Sequence, residues 1–108
     1  MAWMFLLVAG LLEIVWSFTM KLSQGFTRGT PTAITILVMV ASFALLSISM
    51  KTLPLGTAYT VWTGIGAVGA FVVGVVALGE PLTILRVVAA VLIVAGLAIM
   101  KLTTSVQE

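Results

Sequence analysis

Four long apolar runs fill most of this sequence and leave little of the chain for anything else. Each run holds about 19 to 25 residues, the length at which an α-helix rising 1.5 Å per residue spans a hydrocarbon core of roughly 30 Å. The chain is 62% hydrophobic and only 7% charged, whereas about a quarter of the residues in soluble domains are charged. We therefore predict an all-α membrane protein with one transmembrane domain over residues 1–108 and helices at residues 2–20, 31–50, 54–78 and 82–100.

Three short connections separate the runs, KLSQGFTRGTP, KTLPLGT and LGEPLT, and their glycines and prolines end or begin helices. Neighbouring helices should therefore be antiparallel, with both termini on the same side of the membrane. The basic residues divide evenly between the two sides, with Lys21, Arg28 and Arg86 on one side and Lys51, Lys101 and the amino terminus on the other. A small protein that simply lacks loop charges would give this balance, and so would dual topology, in which copies insert both ways and pair as an antiparallel homodimer.

Several classes of chemistry are disfavoured by composition. Cysteine and histidine are absent, which removes disulfides, thiolate nucleophiles, imidazole bases and the common ligands of transition metals. We therefore expect no enzyme, no cofactor and no metal site. The basic residues form no cluster, so we expect the lipid bilayer as a partner and no nucleic acid. Two other acids, Glu80 in the third connection and Glu108 in the tail, need no function.

One carboxylate lies at a depth in the membrane where a charge is energetically unfavourable. In GLLEIVWS, residues 10–17, Glu13 falls about 16 Å along a helix of about 28 Å, close to the membrane centre. A charge at that depth costs roughly 2.5 to 3.5 kcal/mol, whereas one structural hydrogen bond between membrane helices returns only about 0.6 kcal/mol. No Lys or Arg maps to the same depth, so we predict that Glu13 binds a cation from solution. A proton would compete for the same carboxylate, and this competition predicts proton-coupled antiport.

Aromatic residues at matching depth indicate a cation site around this acid. Trp16 shares a helical face with Glu13, and Tyr59 and Trp62 share a face of the third helix. Aromatic π faces attract a cation by roughly 0.5 to 2 kcal/mol each. Ser42, near the middle of the second helix, could donate a hydrogen bond to the carboxylate. Ordinary aromatic packing, and a serine bonded to its own helix, are the alternatives.

The third and fourth helices carry small residues that suit movement and close contact. Glycine weakens a helix by about 1 kcal/mol relative to alanine and permits a kink. We predict a conformational kink at Gly64, Gly66 and Gly69, with plain small-residue packing as the alternative. The fourth helix is apolar over residues 87–100, and its small residues predict a dimer interface at Ala89, Ala90 and Gly96.

These motifs resemble the small multidrug resistance family, above all in LPLGTAYTVWTGIGAVGA, in the KLSQGFTR loop and in the run with Glu13 and Trp16. Gly10, Trp16 and Ser42 resemble the guanidinium exporter subtype of that family. The resemblance covers nearly the whole chain. It implies a multi-pass protein of the bacterial inner membrane, an antiparallel homodimer that exports guanidinium in exchange for protons. It further implies that Glu13 binds substrate or proton and that the site is lined by Gly10, Trp16, Ser42, Tyr59 and Trp62.

Thr60 departs from the family pattern, because AYTVW stands where AYAVW is more usual. A hydroxyl there, taken as lining the site, predicts some transport of alkylguanidinium or small quaternary ammonium ions. A broader exporter of quaternary ammonium drugs is therefore the second interpretation, and an ion channel or a structural helix bundle is the third. A partnership with a close paralogue is also open, although the balanced charges favour a homodimer.

Overall fold

The computed structural model describes residues 1–103, so Glu108 lies outside it. The described chain consists of α1 (Ala2–Leu22), α2 (Gly29–Ser49), α3 (Leu55–Leu78) and α4 (Ile84–Thr103), with no strand among these residues. All four helices are long and apolar enough to cross a membrane. The predicted all-α architecture of four transmembrane helices is confirmed. The helix ends differ from the predicted ones by up to three residues, some helices running past the predicted end and others beginning or ending one or two residues short of it.

The four helices lie side by side in one curved layer, in the spatial order α2, α1, α3, α4. α1 packs against both α2 and α3, α2 touches α3 only slightly, and α4 packs only against α3. The Cα atoms extend over 42 × 35 × 16 Å. Helices packed 8–10 Å apart in a square bundle would measure only about 15 Å in both short directions. The layer therefore leaves wide apolar faces uncovered within one chain.

Glycines bring α1 and α3 close together. A Cβ atom at Gly10 of α1 would collide with Ile65 of α3, and a Cβ atom at Gly69 of α3 would collide with Ile14 of α1. Each glycine thus leaves the space that a branched side chain of the other helix fills, the small-residue packing common between membrane helices. We call these contacts, together with the contact between Gly66 of α3 and the Glu13 side chain of α1, the glycine seam.

Hydroxyl groups join α1 to α2. Thr19 and Thr35 lie 2.6 Å apart between their Oγ1 atoms, and each hydroxyl also reaches a backbone carbonyl of its own helix. Further along, the Ser42 hydroxyl of α2 donates to the Ala9 carbonyl of α1 at 2.7 Å. Thr35, Ser42 and Ala9 are fully buried. Polar contacts away from water therefore fix the register of α2 on α1.

α4 is the most exposed helix and contributes no buried residue. Its principal anchor is Leu97, which occupies the space beside Gly64 of α3. Of the residues predicted to form a dimer interface, Ala89 and Gly96 are exposed and Ala90 is half-buried. A Cβ atom at Gly96 would meet nothing within 4 Å. The predicted interface is thus uncovered in the single chain, and its role stays a prediction.

Glu80 organises the connection from α3 to α4. Gly79 takes a left-handed conformation with φ 69°, which ends α3, and the Glu80 N–H donates to the Gly74 carbonyl at 3.0 Å. The Glu80 carboxylate lies against the bare Cα of Gly74 and is 3.8 Å from the Arg86 guanidinium. This ion pair is partly exposed, so it organises the turn rather than adding much stability.

The packing of α4 can be tested at Gly64. We expect Gly64→Val to lower the free energy of unfolding by about 1–3 kcal/mol, because the added methyl groups push Leu97 and α4 away from α3. Gly56→Val is the matched control, since a Cβ atom at Gly56 meets nothing within 4 Å. Reversible unfolding in detergent, followed by circular dichroism, measures both variants. Equal losses for the two would contradict this account of how α4 is held.

Candidate functional site

The Glu13 side chain lies in the glycine seam, where α1 faces α3. A Cβ atom at Gly66 would overlap the Glu13 carboxylate, so only glycine at position 66 allows the acid its observed place. Glu13 is half-buried overall, but its Oε1 atom is shielded from solvent and has no hydrogen-bond partner among the described residues. A buried acceptor without a donor costs about 1–3 kcal/mol, and more if it is charged. The structure thus keeps one carboxylate oxygen unsatisfied.

A second unsatisfied group lies one helical turn from the acid. The indole Nε1 of Trp16 is shielded from solvent and donates to no acceptor in the part of the chain that the structure describes. Residues three apart on an α-helix share a face, so this donor and the Glu13 acceptor flank the same region of α1. Buried indole N–H groups usually find a partner. The open carboxylate oxygen can accept from an N–H donor of a bound cation, whereas the indole N–H can donate only to an acceptor such as a carboxylate.

Aromatic rings extend from Trp16 across three helices. Trp16 meets Phe43 of α2 edge to face with centroids 6.2 Å apart, and Phe43 meets Trp62 of α3 at 5.7 Å. The Tyr59 ring lies 5.7 Å from that of Trp62. Sequence reasoning included the two tryptophans and the tyrosine but missed Phe43, which links them and is 46% exposed. An aromatic residue beside Ser42 at mid-depth of α2 was the available signal.

Ser42 has other partners than the predicted one. Its hydroxyl donates to the Ala9 carbonyl and accepts a hydrogen bond from the Trp62 indole N–H at 3.0 Å. In this structure the Ser42 hydroxyl therefore donates neither to the carboxylate nor to its own helix, and its place in the lining of the site stays a prediction. The buried hydroxyl instead fixes the orientation of Trp62, because an indole has a single polar donor to satisfy.

Two further residues predicted to line the site have other neighbours within one chain. Gly10 is buried against Ile65, so it serves the contact between α1 and α3. Thr60 is exposed on the side of α3 that faces α4 and borders a shallow cleft of about 320 Å³, which Tyr59 also borders. Helical periodicity explains this placement, since position 60 points about 200° around α3 from Trp62. A role for either residue in binding stays a prediction.

The three glycines predicted to form a kink all lie at close contacts between helices. Gly64 faces Leu97 of α4, Gly66 faces Glu13 of α1 and Gly69 faces Ile14 of α1. α3 is one continuous helix from Leu55 to Leu78. Small-residue packing is thus what the structure displays at these positions, and the kink stays a prediction about movement.

The arrangement favours a cation over other ligands. Glu13 makes no ion pair within residues 1–103, and the open carboxylate oxygen lies near aromatic side chains that attract positive charge. The same residues contain no group of three or more acidic, histidine or cysteine side chains that could hold a metal ion. A monovalent organic cation or a proton suits this site.

Four membrane-spanning helices and one embedded carboxylate define a small multi-pass α-helical membrane protein. The sequence profile described as Small Multidrug Resistance protein matches residues 1–94. The chain belongs to the small multidrug resistance family, which assigns it to membrane transport.

Close relatives in that family carry a common name. A protein named Guanidinium exporter from Citrobacter freundii is 55% identical over 104 residues, which cover 96% of this chain and 99% of the relative. The protein of the same name from Salmonella typhimurium gives the same values. Another from Escherichia coli (strain K12) is 52% identical over 104 residues, with 96% and 99% coverage.

The hydrogen bonds of Ser42 make a testable prediction. We expect Ser42→Ala to lower the free energy of unfolding by about 1–3 kcal/mol, because it leaves the buried Trp62 indole N–H without an acceptor. Ser47→Ala, at an exposed position of the same helix, should stay within about 0.5 kcal/mol of the unmodified protein. Equilibrium unfolding in detergent, followed by tryptophan fluorescence, compares them. A Ser42→Ala protein as stable as the control would show that this hydrogen bond is dispensable.

Proposed function

We propose that this protein is a proton-coupled antiporter that exports guanidinium and related small cations across the bacterial inner membrane. The observation that carries the proposal is the shielded Glu13 oxygen, an acceptor that has no hydrogen-bond partner among the described residues and lies one helical turn from Trp16. The proposal assigns transport to the chain and no catalysis. The names of its relatives support guanidinium as the substrate.

Guanidinium matches the chemistry of this site. The ion is planar and always charged, and its paired N–H donors fit a carboxylate in bidentate geometry. Its faces stack on aromatic rings, which the site offers at Trp16, Phe43 and Trp62. A quaternary ammonium ion has no N–H donor for the open Glu13 oxygen. A quaternary ammonium ion could bind only through the aromatic faces, so the broader exporter stays the alternative and guanidinium is favoured by its additional hydrogen bonds.

Coupling to protons follows from competition for a single carboxylate. An unneutralised charge deep in the membrane costs roughly 2.5 to 3.5 kcal/mol, so Glu13 should be occupied either by a proton or by a cation when the site is closed. If the helices expose the site to each side in turn and move only when it is occupied, an inward proton exchanges for an outward cation. Closely packed glycines at Gly64, Gly66 and Gly69 would allow α3 to change shape in that movement.

An antiparallel homodimer is the assembly we propose. One chain forms an open layer that leaves Glu13 half-exposed, so a second layer is needed to enclose a cation. The balanced basic residues give no preferred orientation, which suits copies inserted both ways. Exposed Ala89 and Gly96 on α4 provide small residues for the contact between copies.

Direct binding measurements test the central role of the acid. We expect the protein to bind guanidinium more tightly than tetramethylammonium and to lose guanidinium binding in Glu13→Gln, which keeps the shape but not the charge. Because a protonated Glu13 holds no cation, acidification should weaken guanidinium binding by about tenfold per pH unit in the acid range. Isothermal titration calorimetry in detergent gives both quantities.

The matched control for this experiment is Glu80→Gln, which removes the other acid in the described residues, far from the aromatic rings and at the exposed α3–α4 turn. It should bind guanidinium as the unmodified protein does, with the same dependence on pH. Guanidinium binding that survives in Glu13→Gln, or binding that does not change with pH, would overturn the proposed competition. Tighter binding of tetramethylammonium would favour the broader exporter.

The place of the carboxylate can be tested without removing it. We expect Gly66→Ala to weaken guanidinium binding by about tenfold to a hundredfold, because the new methyl group occupies the position of the Glu13 carboxylate and displaces its charged hydrogen bonds to the ligand. Gly56→Ala is the matched control in the same helix, because a Cβ atom at Gly56 meets nothing within 4 Å. Titration of both variants compares them. Equal affinities would show that the observed position of the carboxylate is unimportant for binding.

A further inference from the structure

A groove on the outer side of the layer has no part in the proposed transport site. α1 and α4 form its walls, with Trp3 and Leu7 on one side and Val94 and Ala98 on the other, and Ile65 of α3 lies at its floor. Its volume of about 520 Å³ lies within the roughly 300–1,000 Å³ typical of small-ligand pockets. The groove is open along its length, and most of its wall residues are partly exposed.

The groove is apolar except at one end, where the Lys101 side chain is the one charged group among the described residues of its lining. The Lys101 ammonium lies 4.9 Å from the centre of the Trp3 ring, and Lys101 pairs with no carboxylate among residues 1–103. Val94, Ala98 and Lys101 follow one another at spacings of four and three, so they share a face of α4. The groove therefore runs about 10 Å along α4, from the charged end of the helix towards the membrane centre.

This charge pattern excludes the transported ion as the occupant. A positive group at the mouth repels guanidinium and other cations, and the apolar walls offer them no acceptor. Of the three predicted dimer contacts, Ala89 and Gly96 lie on roughly the opposite side of α4 from the face of Val94 and Ala98. Ala90 precedes Val94 by four residues and shares that face, so a second copy is the rival occupant that the cross-linking test below addresses. An occupant with one anionic group and a long apolar tail fits both ends of the groove.

Lipid in the surrounding bilayer has this chemistry. Tryptophan and lysine near helix ends lie at the level of the lipid headgroups, so Trp3 and Lys101 mark that level here. A lysine near the membrane surface contributes roughly 1 kcal/mol of attraction to anionic lipid. We propose that the groove between α1 and α4 binds an anionic phospholipid, with Lys101 holding its phosphate and the apolar walls holding one acyl chain.

Native mass spectrometry of the purified protein tests this proposal. The protein is equilibrated with equal amounts of phosphatidylglycerol and phosphatidylcholine of the same acyl chains, and the retained lipids are counted. We expect phosphatidylglycerol to be retained preferentially and the preference to fall about fivefold in Lys101→Gln. Lys51→Gln is the control, because Lys51 is an exposed cation on the same side of the membrane but outside the groove. Loss of preference in the control to the same degree would overturn the proposal.

A second pair of variants tests the apolar part without changing charge. Ala98→Phe should fill the groove and reduce the retention of both lipids, whereas Val76→Phe, at an exposed position near the other end of α3, should leave it unchanged. Circular dichroism confirms that both variants are folded. Retention unaffected by Ala98→Phe would overturn the proposal.

The same position also tests for a protein occupant. The chain contains no cysteine, so Ala98→Cys introduces a single thiol into the groove. A disulfide-linked dimer formed readily through it in membranes would place a second copy in the groove and overturn the lipid assignment. None of these measurements uses transport, so their outcome is independent of the proposed antiport.

Discussion

The close approach of α1 and α3 at the glycine seam is the contact on which the site depends. Because Gly66 has no side chain, the Glu13 carboxylate lies against backbone, which shields one oxygen from solvent and offers it no side-chain donor. Ile14 and Ile65 fill the spaces beside Gly69 and Gly10 and so supply the apolar packing that holds the two helices at this distance. The acid is thus accommodated by shape and not by hydrogen bonding.

None of the described hydroxyl and indole groups around the site donates a hydrogen bond to the Oε1 atom of Glu13. The Ser42 hydroxyl donates to the Ala9 carbonyl and accepts from the Trp62 indole N–H, so neither of these two donors is free for a carboxylate. A carboxylate surrounded by donors is stabilised as an anion and gains little from a cation. An open Glu13 therefore leaves the free energy of neutralisation to the proton or cation of the proposed antiport.

The sequence alone predicts the four helices that the structure shows and singles out Glu13 as the candidate acid, but it does not predict which side chains lie beside them. Hydropathy and length predict four spans, and the cost of a mid-membrane charge singles out Glu13, because both signals belong to one helix at a time. Three other features depend on which helix lies next to which. They are the hydrogen-bond partners of Ser42, the side on which Thr60 lies and the contacts of Phe43 with two tryptophans. Helices that are apolar on all sides give no periodic signal of that order.

A single layer of helices has two faces, and its exposed residues divide between them. The acid and the aromatic row need a cover that excludes water, because a cation bound at Glu13 is held strongly only in a low dielectric. α4 packs on α3 alone and can therefore present small residues at Ala89 and Gly96 in one direction and the groove ending at Lys101 in another. One helix can thereby hold a protein contact and a lipid contact at once. Under the two proposals the open layer is a half-site, and its remaining surfaces would be supplied by another copy and by the membrane.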